Sequence, residues 1–562
     1  MFPFSGGIDP ASLPADVHAS VEPGATVFVV DVDARSPQQG SRRPVDVSFR
    51  ANGGPYGADN SLVVIPHPGF PLRPSTRYAA VVTTGVRGDD GLPLAPTGLD
   101  GDGPAFDARR AAAALTGADL EQIAALAVFD TGDATARMAT AVHDAAEEPI
   151  ETVEAPELHE VFERFCVYRG RVSVPVYQQG TPPYDGGGGG WAYEDASVAM
   201  QRREDANVWI TLPRVAPRAS YDTVVFIRTG GGGDRPLIDR GLRTVALGPT
   251  EPGTGPANEI ANAGWAAVSV DGPHGGLRNV TGRDEQLLMF NIQNPQAMRD
   301  NIRQSALELA LLPAWLDTVE LRRDGCPPAG TGPSPRPEPG PGPANARLDG
   351  RLVLMGHSMG ATIAPLVVAA QPRFEALILS GAGGSWIENV VHKQSPLPVR
   401  PLAELILRYR SGELRRDDPV LGLLQWGGEV ADPPLYAATA PPALHVLMFQ
   451  GIVDTYILPP IANALSLSFG LDLLGNPVDV TDPRLAAFAP LQPLLALGGR
   501  GVVYGSANAN GADGATRVVV QHAQDAIEDG HEVMYQLDLP RRQYTRFLET
   551  LERGAPYASE AP

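Results

Sequence analysis

Ser358 stands at the centre of Gly356-His-Ser-Met-Gly360, a hydroxyl with a glycine two residues away on either side. The run before it, Arg351 to Met355 (RLVLM), is apolar and strand-like, and the run after it, Ala361 to Ala370 (ATIAPLVVAA), reads as a helix. A sharp strand-to-helix turn lifts a serine clear of a sheet, and flanking glycines keep the crowded turn free of side chains. The helix that follows points its positive N-terminal end at the same spot, which favours negative charge developing there. The chemistry this implies is nucleophilic attack on an acyl group. It requires a base to take the serine proton and an acid to orient that base.

In nucleophile turns of this kind the chain order is serine, then carboxylate, then histidine. That order filters ten histidines strongly. The strand-like run His445 to Gln450 leads into Gly451-Ile-Val-Asp454, so Asp454 is expected just beyond a strand's C-terminal end, where ligand-facing residues gather. Only His522 and His531 follow it. His531, in Glu528-Asp-Gly-His-Glu-Val, belongs to a turn from which a base can approach the serine, and it is preferred over His522, which ends the strand-like RVVVQ. Asp432, in Ala-Asp-Pro-Pro-Leu-Tyr, is the second choice for the acid, because an Asp-Pro step is common turn chemistry. For the oxyanion, the strand-like Tyr221 to Thr229 ends in Gly230-Gly-Gly-Gly-Asp234, where backbone N–H groups can approach a substrate closely. Gly231 and Met359, the residue after the nucleophile, are the expected donors. His274, in Asp271-Gly-Pro-His-Gly-Gly276, reads as a turn residue that shapes a pocket. The set calls for no cofactor and no metal ion.

Those residues need a scaffold. After residue 220 strands and helices alternate: Tyr221 to Thr229, a helix at 256–263, Trp265 to Asp271, a long amphipathic helix at 301–319, then the Ser358 unit. Further strands follow at Glu375 to Ser380, His445 to Gln450 and Arg517 to Gln521, with a last helix at 542–553. Such alternation implies a mostly parallel sheet covered by helices on both faces, and with the serine turn it points to the α/β-hydrolase fold. Residues 1–107 differ. Short β-like runs (Ala25 to Val32, Val45 to Phe49, Leu62 to Ile65, Tyr78 to Thr84) broken by Pro and Gly suggest an Ig-like β-sandwich module. Residues 108–155 are expected to be a helical connector and 156–562 the catalytic domain, with a β-rich entry at 160–215. Five glycines at 186–190 read as a flexible surface loop. The Pro/Gly-rich 327–343 is expected to be a solvated loop. The stretch 385–440 is too long for a simple connection; with Trp386, Leu402, Leu405, Ile406, Leu407 and Trp426 it is expected to form a cap with an apolar face.

Composition sets outer limits. A chain of 562 residues exceeds what one core usually serves, and 43% hydrophobic with 19% charged residues is globular. A formal net charge of -21 argues against sequence-independent nucleic-acid binding, which needs a basic surface. No run approaches the length of a membrane helix, and the N-terminus does not read as a signal peptide. Cys166 and Cys326 either form one bridge or remain two buried thiols.

With these motifs in view, the chain resembles the bacterial secreted lipase/esterase group that includes the virulence-factor lipases. The resemblance rests on the Ig-like N-terminus, Gly170-Arg-Val-Ser-Val-Pro with Gly180-Thr-Pro-Pro-Tyr, and Gly356 to Gly360. It extends to Leu424-Gln-Trp with Asp432-Pro-Pro-Leu-Tyr, Gly451 to Asp454, and Asp529-Gly-His531. It implies carboxylic-ester hydrolysis on a small-molecule, lipid or polyester ester, secreted or periplasmic residence, and no cofactor. Related hydrolases often carry His-Gly at the oxyanion loop, where this chain has Thr229-Gly230. An acyltransferase of the same fold, or an inactive binding or adhesion protein, are the alternatives.

Overall fold

The computed structural model describes residues 1–96, 104–116, 119–231, 233–246, 248–329, 343–507 and 514–559. Most of the Pro/Gly-rich stretch, 330–342, therefore lies outside the described residues. The chain divides into two compact units: Met1–Ala134 with Ser385–Glu429 and Leu497–Gly499, and Thr135–Gly384 with Val430–Ala496 and Arg500–Pro562.

The first unit is built on two antiparallel sheets. One pairs Phe2–Pro3, Ser61–Pro66 and Val45–Arg50; the other pairs Arg42–Arg43, Val27–Asp31, Arg77–Thr83 and Ile123–Asp130. Alternate side chains point to opposite faces, so Val27, Val29, Tyr78, Ala80 and Val82 share one core with Val45 and Leu62, which makes a sandwich. Their neighbours Phe28, Val30, Ala79 and Val81 face the other way and bury Ala112 and Ala113 of the helix Pro104–Thr116. The expected helical connector is thus interrupted by the strand Ile123–Asp130. Its Ala/Leu-rich sequence looks helical in isolation, but pairing along Arg77–Thr83 overrides that preference. Part of the expected cap also belongs here. The helices Trp386–His392, Val399–Ile406 and Pro419–Gly428 enclose a small core of Ile387, Leu414 and Leu421. Arg416 joins them to the sandwich by pairing with both Glu388 and Asp46, and Arg50 forks onto Asp418. Residues 430–440 go with the second unit.

The second unit contains an eleven-stranded mixed sheet. Its strands are β1 (Glu151–Val161), β2 (Phe165–Val176), β3 (Arg202–Pro213), β4 (Thr223–Phe226), β5 (Ala266–Val270), β6 (Leu352–His357), β7 (Phe374–Ser380), β8 (His445–Ile452), β9 (Asp472–Leu474), β10 (Val502–Val503) and β11 (Arg517–Ala523). The spatial order is β10-β9-β11-β8-β7-β6-β4-β5-β3-β2-β1. Strands β1 to β3 are antiparallel, β3 is antiparallel to β5, and everything from β5 to β10 is parallel. This is the α/β-hydrolase architecture. The central parallel strands carry continuous apolar runs (VVF, LVLM, ALIL, VLMF) because helices cover both faces. Phe226, Met355, Ile378, Phe449 and Val520 pack on one face with Phe547 and Leu551 of the helix Asp538–Leu551. The helices α1 (Pro295–Leu316) and α2 (Met359–Ala370) pack on each other. Strand β1 was not anticipated. As an edge strand it lies almost wholly exposed, carrying Glu151, Glu154, Glu157, Glu160 and Pro156, and the opposite edge, β10, is two residues long.

Two further expectations are settled in this unit. Cys166 on β2 and Cys326 form a disulfide across a sequence separation of 160, with Cα atoms 6.0 Å apart. Next to it Arg214 Nε donates to the Pro327 carbonyl at 2.8 Å and Ala329 N–H donates to the Arg214 carbonyl at 2.8 Å. Closing so long a loop restricts the unfolded chain, so reduction, or Cys166→Ser with Cys326→Ser, is expected to lower stability by about 2–5 kcal/mol. Urea unfolding with and without reductant measures this; coincident curves would refute it. The glycine run is not a free loop throughout. Gly186 and Gly187 are exposed, but Gly189 and Gly190 are buried where a β-carbon would meet Ala297 at 2.5 Å and Gln296 at 1.9 Å on α1. There the glycines serve close approach.

Candidate active site

Strand β6 ends at His357 and α2 begins at Met359, which leaves Ser358 alone at the turn with φ 52° and ψ −116°. A positive φ at a non-glycine residue is strained and holds the side chain away from the sheet. The turn is tight: a β-carbon on Gly356 would lie 2.6 Å from the Gly360 carbonyl oxygen. The Ser358 N–H donates to the Ser380 carbonyl at 3.0 Å, which ties the turn to β7.

Beyond β8, Asp454 is buried. Its Oδ1 accepts from the N–H groups of Tyr456 and Ile457, both at 2.7 Å, and its Oδ2 lies 2.8 Å from His531 Nδ1. An ionised carboxylate only accepts, so Nδ1 carries the imidazole proton and Nε2 is left as the acceptor of the neutral ring. The Tyr456 ring stacks on His531 at 4.4 Å. Asp529 holds the two loops together, accepting from His531 N–H (2.8 Å), Thr455 N–H (3.1 Å) and the Thr455 hydroxyl (2.9 Å). Burial, followed by the nearby Asp454 charge, raises the Asp529 carboxyl above its ordinary range. Glycine is required where the loops touch: a β-carbon on Gly451 would sit 1.7 Å from the Gly530 carbonyl oxygen.

His357 is fully buried, its ring 4.7 Å from that of His531. Burial, helped by the positive charge of Arg240, holds its pKa well below the usual value. Glu532 follows His531 and is gripped by Arg240, whose Nε and Nη2 reach its two oxygens at 3.2 and 2.5 Å. Burial opposes ionisation of Glu532, yet Arg240 and His531 hold its carboxyl below the usual range. Donor atoms of His357, His531 and Glu532 lie within 4.8 Å of one another. A metal ion there would face the guanidinium that already neutralises Glu532, so the donor set does not fit one.

Downstream of β4, the Gly230 carbonyl accepts from Arg240 Nη1 at 2.9 Å, and Gly231 is exposed with φ 73°. Gln286 lies across the turn, where a β-carbon on Gly230 would meet its Cγ at 2.2 Å. Ser358, Asp454 and Gly231 thus all follow the C-terminal ends of parallel strands, and His531 lies beyond β11. Among the described residues no hydrogen bond joins Ser358 to His531; such contacts commonly tighten only with substrate bound.

Of the competing candidates, none is bonded to Asp454 among the described residues. His522 sits on β11 against Phe449, and Asp432 precedes the helix Pro433–Thr439. His274 is buried at φ 62°, its Nε2 3.3 Å from Asn301 Oδ1. Burial draws both His274 and His522 down to about 4 from 6.5. Between those values the unfolded chain binds the protons that the folded chain refuses, so stability falls as pH falls. Each histidine withdraws up to about 3 kcal/mol by the acid end of the window. The melting temperature is expected to drop from pH 7 to pH 4, and His522→Leu to flatten that slope; a parallel profile for the variant would refute it. Sequence reasoning assigned no role to Arg240, His357, Tyr456 or Asp529. Asp529, two residues before His531 in Asp-Gly-His, carried a local capping signal; Arg240 carried none.

No family model matches the chain, and no curated protein matches it. Among solved structures it is similar to acetyl xylan esterase 1 from Thermoanaerobacterium sp. (15% identity, 59% of this chain and 83% of the other, TM-score 0.32). It is also similar to a glucuronoyl esterase from Teredinibacter turnerae (14%, 74% and 83%, TM-score 0.31) and to a peroxisomal alpha-beta-hydrolase from Saccharomyces cerevisiae (10%, 70% and 91%, TM-score 0.32). Likenesses this distant assign neither family nor substrate. Among the described residues no helix is long and apolar enough to cross a membrane.

Proposed function

We propose that the chain is a serine-dependent carboxylic ester hydrolase that works through an acyl-serine intermediate. The observation that carries this reading is the buried Asp454–His531 pair at 2.8 Å, set beyond the strand ends on the same sheet as the strained Ser358 turn. On this reading His531 Nε2 takes the Ser358 proton as Oγ attacks the ester carbonyl, and the imidazolium then protonates the departing alcohol. Asp454 holds the tautomer and stabilises the imidazolium. The N–H groups of Met359, at the start of α2, and Gly231 receive the oxyanion. Water then attacks the acyl-serine with the same base, and the acid is released. An alcohol in place of water would make the reaction acyl transfer.

The Cys166–Cys326 disulfide supports an oxidising compartment, secreted or periplasmic. The substrates we favour are esters of hydrophobic acyl groups, including polyesters. A fluorophosphonate probe is expected to label Ser358 in native protein and not after denaturation. A panel of p-nitrophenyl esters from acetate to octanoate then reads acyl preference. No labelling of folded protein would overturn the hydrolase reading, and a flat panel would overturn the hydrophobic-acyl preference.

A further inference from the structure

We propose that Arg240 is the positioning residue of the oxyanion loop, and that it sets the spacing between that loop and the base; this rests on the hydrolase reading above. The Gly230 carbonyl and the Gly231 N–H belong to one planar trans peptide and point in opposite directions. Arg240 Nη1 holds that carbonyl at 2.9 Å, so the Gly231 N–H is turned away from the guanidinium, and no hydrogen bond among the described residues consumes it. The other end of the loop is fastened in the same manner. Arg228 Nη2 takes the Gly233 carbonyl at 2.8 Å and Nη1 the Asp234 carbonyl at 2.7 Å, while Glu285 and Asp271 neutralise the Arg228 charge. Glycines alone would leave these peptides free to rotate. Carbonyl oxygens facing the substrate would repel an oxyanion, so the direction of each peptide decides whether the loop stabilises or opposes the reaction.

Arg240 does more than hold one peptide. Its other two nitrogens fork onto Glu532, the residue bonded to His531, and its guanidinium lies 5.1 Å from the Tyr535 ring centroid. One planar group therefore links the loop that receives negative charge to the turn that carries the base. Lysine cannot make this three-way contact, because its ammonium is a point charge without a fork.

Steady-state kinetics on p-nitrophenyl acetate, paired with two inhibitors, tests this. A trifluoromethyl ketone adds to the serine and forms an oxyanion; the matching methyl ketone reports ground-state binding. Arg240→Met is expected to lower kcat roughly 100- to 1,000-fold with KM nearly unchanged. Trifluoromethyl ketone affinity should fall by a similar factor while methyl ketone affinity holds, and Arg240→Lys should recover only part of the loss. Removing Arg240 alone strands the Glu532 charge, so Arg240→Met with Glu532→Gln is measured as well and should show the same split. Wild-type kcat and trifluoromethyl ketone affinity in the double variant would overturn the proposal, as would an equal loss for both ketones, which marks a general structural role. Ester turnover that survives Ser358→Ala would instead remove the reading on which the proposal rests.

Discussion

Ser358→Ala is expected to lose ester hydrolysis on the order of a million-fold, the scale of a nucleophile knockout in a serine hydrolase of another fold. On the proposed mechanism no acyl-enzyme can form without Oγ, and what remains is whatever the proposed oxyanion donors do for direct attack by water. The variant should fold normally. Alanine removes one hydroxyl from a turn whose backbone is held by the Ser358 N–H to the Ser380 carbonyl and by the Thr362 N–H to the Ser358 carbonyl. Turnover of an activated ester by purified variant, with circular dichroism to confirm folding, is the measurement. Activity near wild type would mean that the chemistry lies elsewhere.

The second large effect separates two histidines. On the same proposed mechanism His531→Ala should cost nearly as much as loss of the serine, because nucleophile and base would act as a unit. His522→Ala should keep most of the activity, since that ring lies on β11 against Phe449 rather than beside Asp454. Asp454→Asn belongs with the first variant. It replaces the acceptor at 2.8 Å with a group that permits the wrong tautomer, and roughly a 10⁴-fold loss is the expected scale. A His522 variant that is inactive yet folded, beside an active His531 variant, would reassign the base.

How much of this could be read in advance depended on how local each signal was. Parallel strands buried on both faces announce themselves as apolar runs, so β4, β6, β7, β8 and β11 were visible. Ser358 was visible for the same reason: everything that makes the turn lies within a few residues of it. Chain order paired Asp454 with His531, and the two side chains are in contact although 77 residues separate them. The missed elements lacked local signals. Ile123–Asp130 is Ala-rich and takes its conformation from a partner strand, β9 and β10 are too short to show a period, and β1 is rich in charge. Arg240 and Glu532 are 292 residues apart, and nothing at either end marks the pairing. The glycine run misled in another way: composition shows the freedom of glycine, but only packing shows that its small size brings the chain onto α1.

The acidic border of the sheet bears on how copies of this chain meet one another. An open sheet offers its outer backbone N–H and C=O groups to any strand that arrives, and a long flat edge is an invitation to fibrous growth. Here one margin carries four glutamates and a proline that can donate no ladder hydrogen bond, and the other ends after two residues. Glu151, Glu154 and Glu160 are each paired with an arginine (Arg203, Arg171 and Arg235), so a second copy at the long margin must desolvate charged pairs, and the short margin presents too few groups to hold a partner. Growth by sheet continuation is opposed at both ends. At high local concentration, copies of this chain therefore gain little by extending one another's sheets.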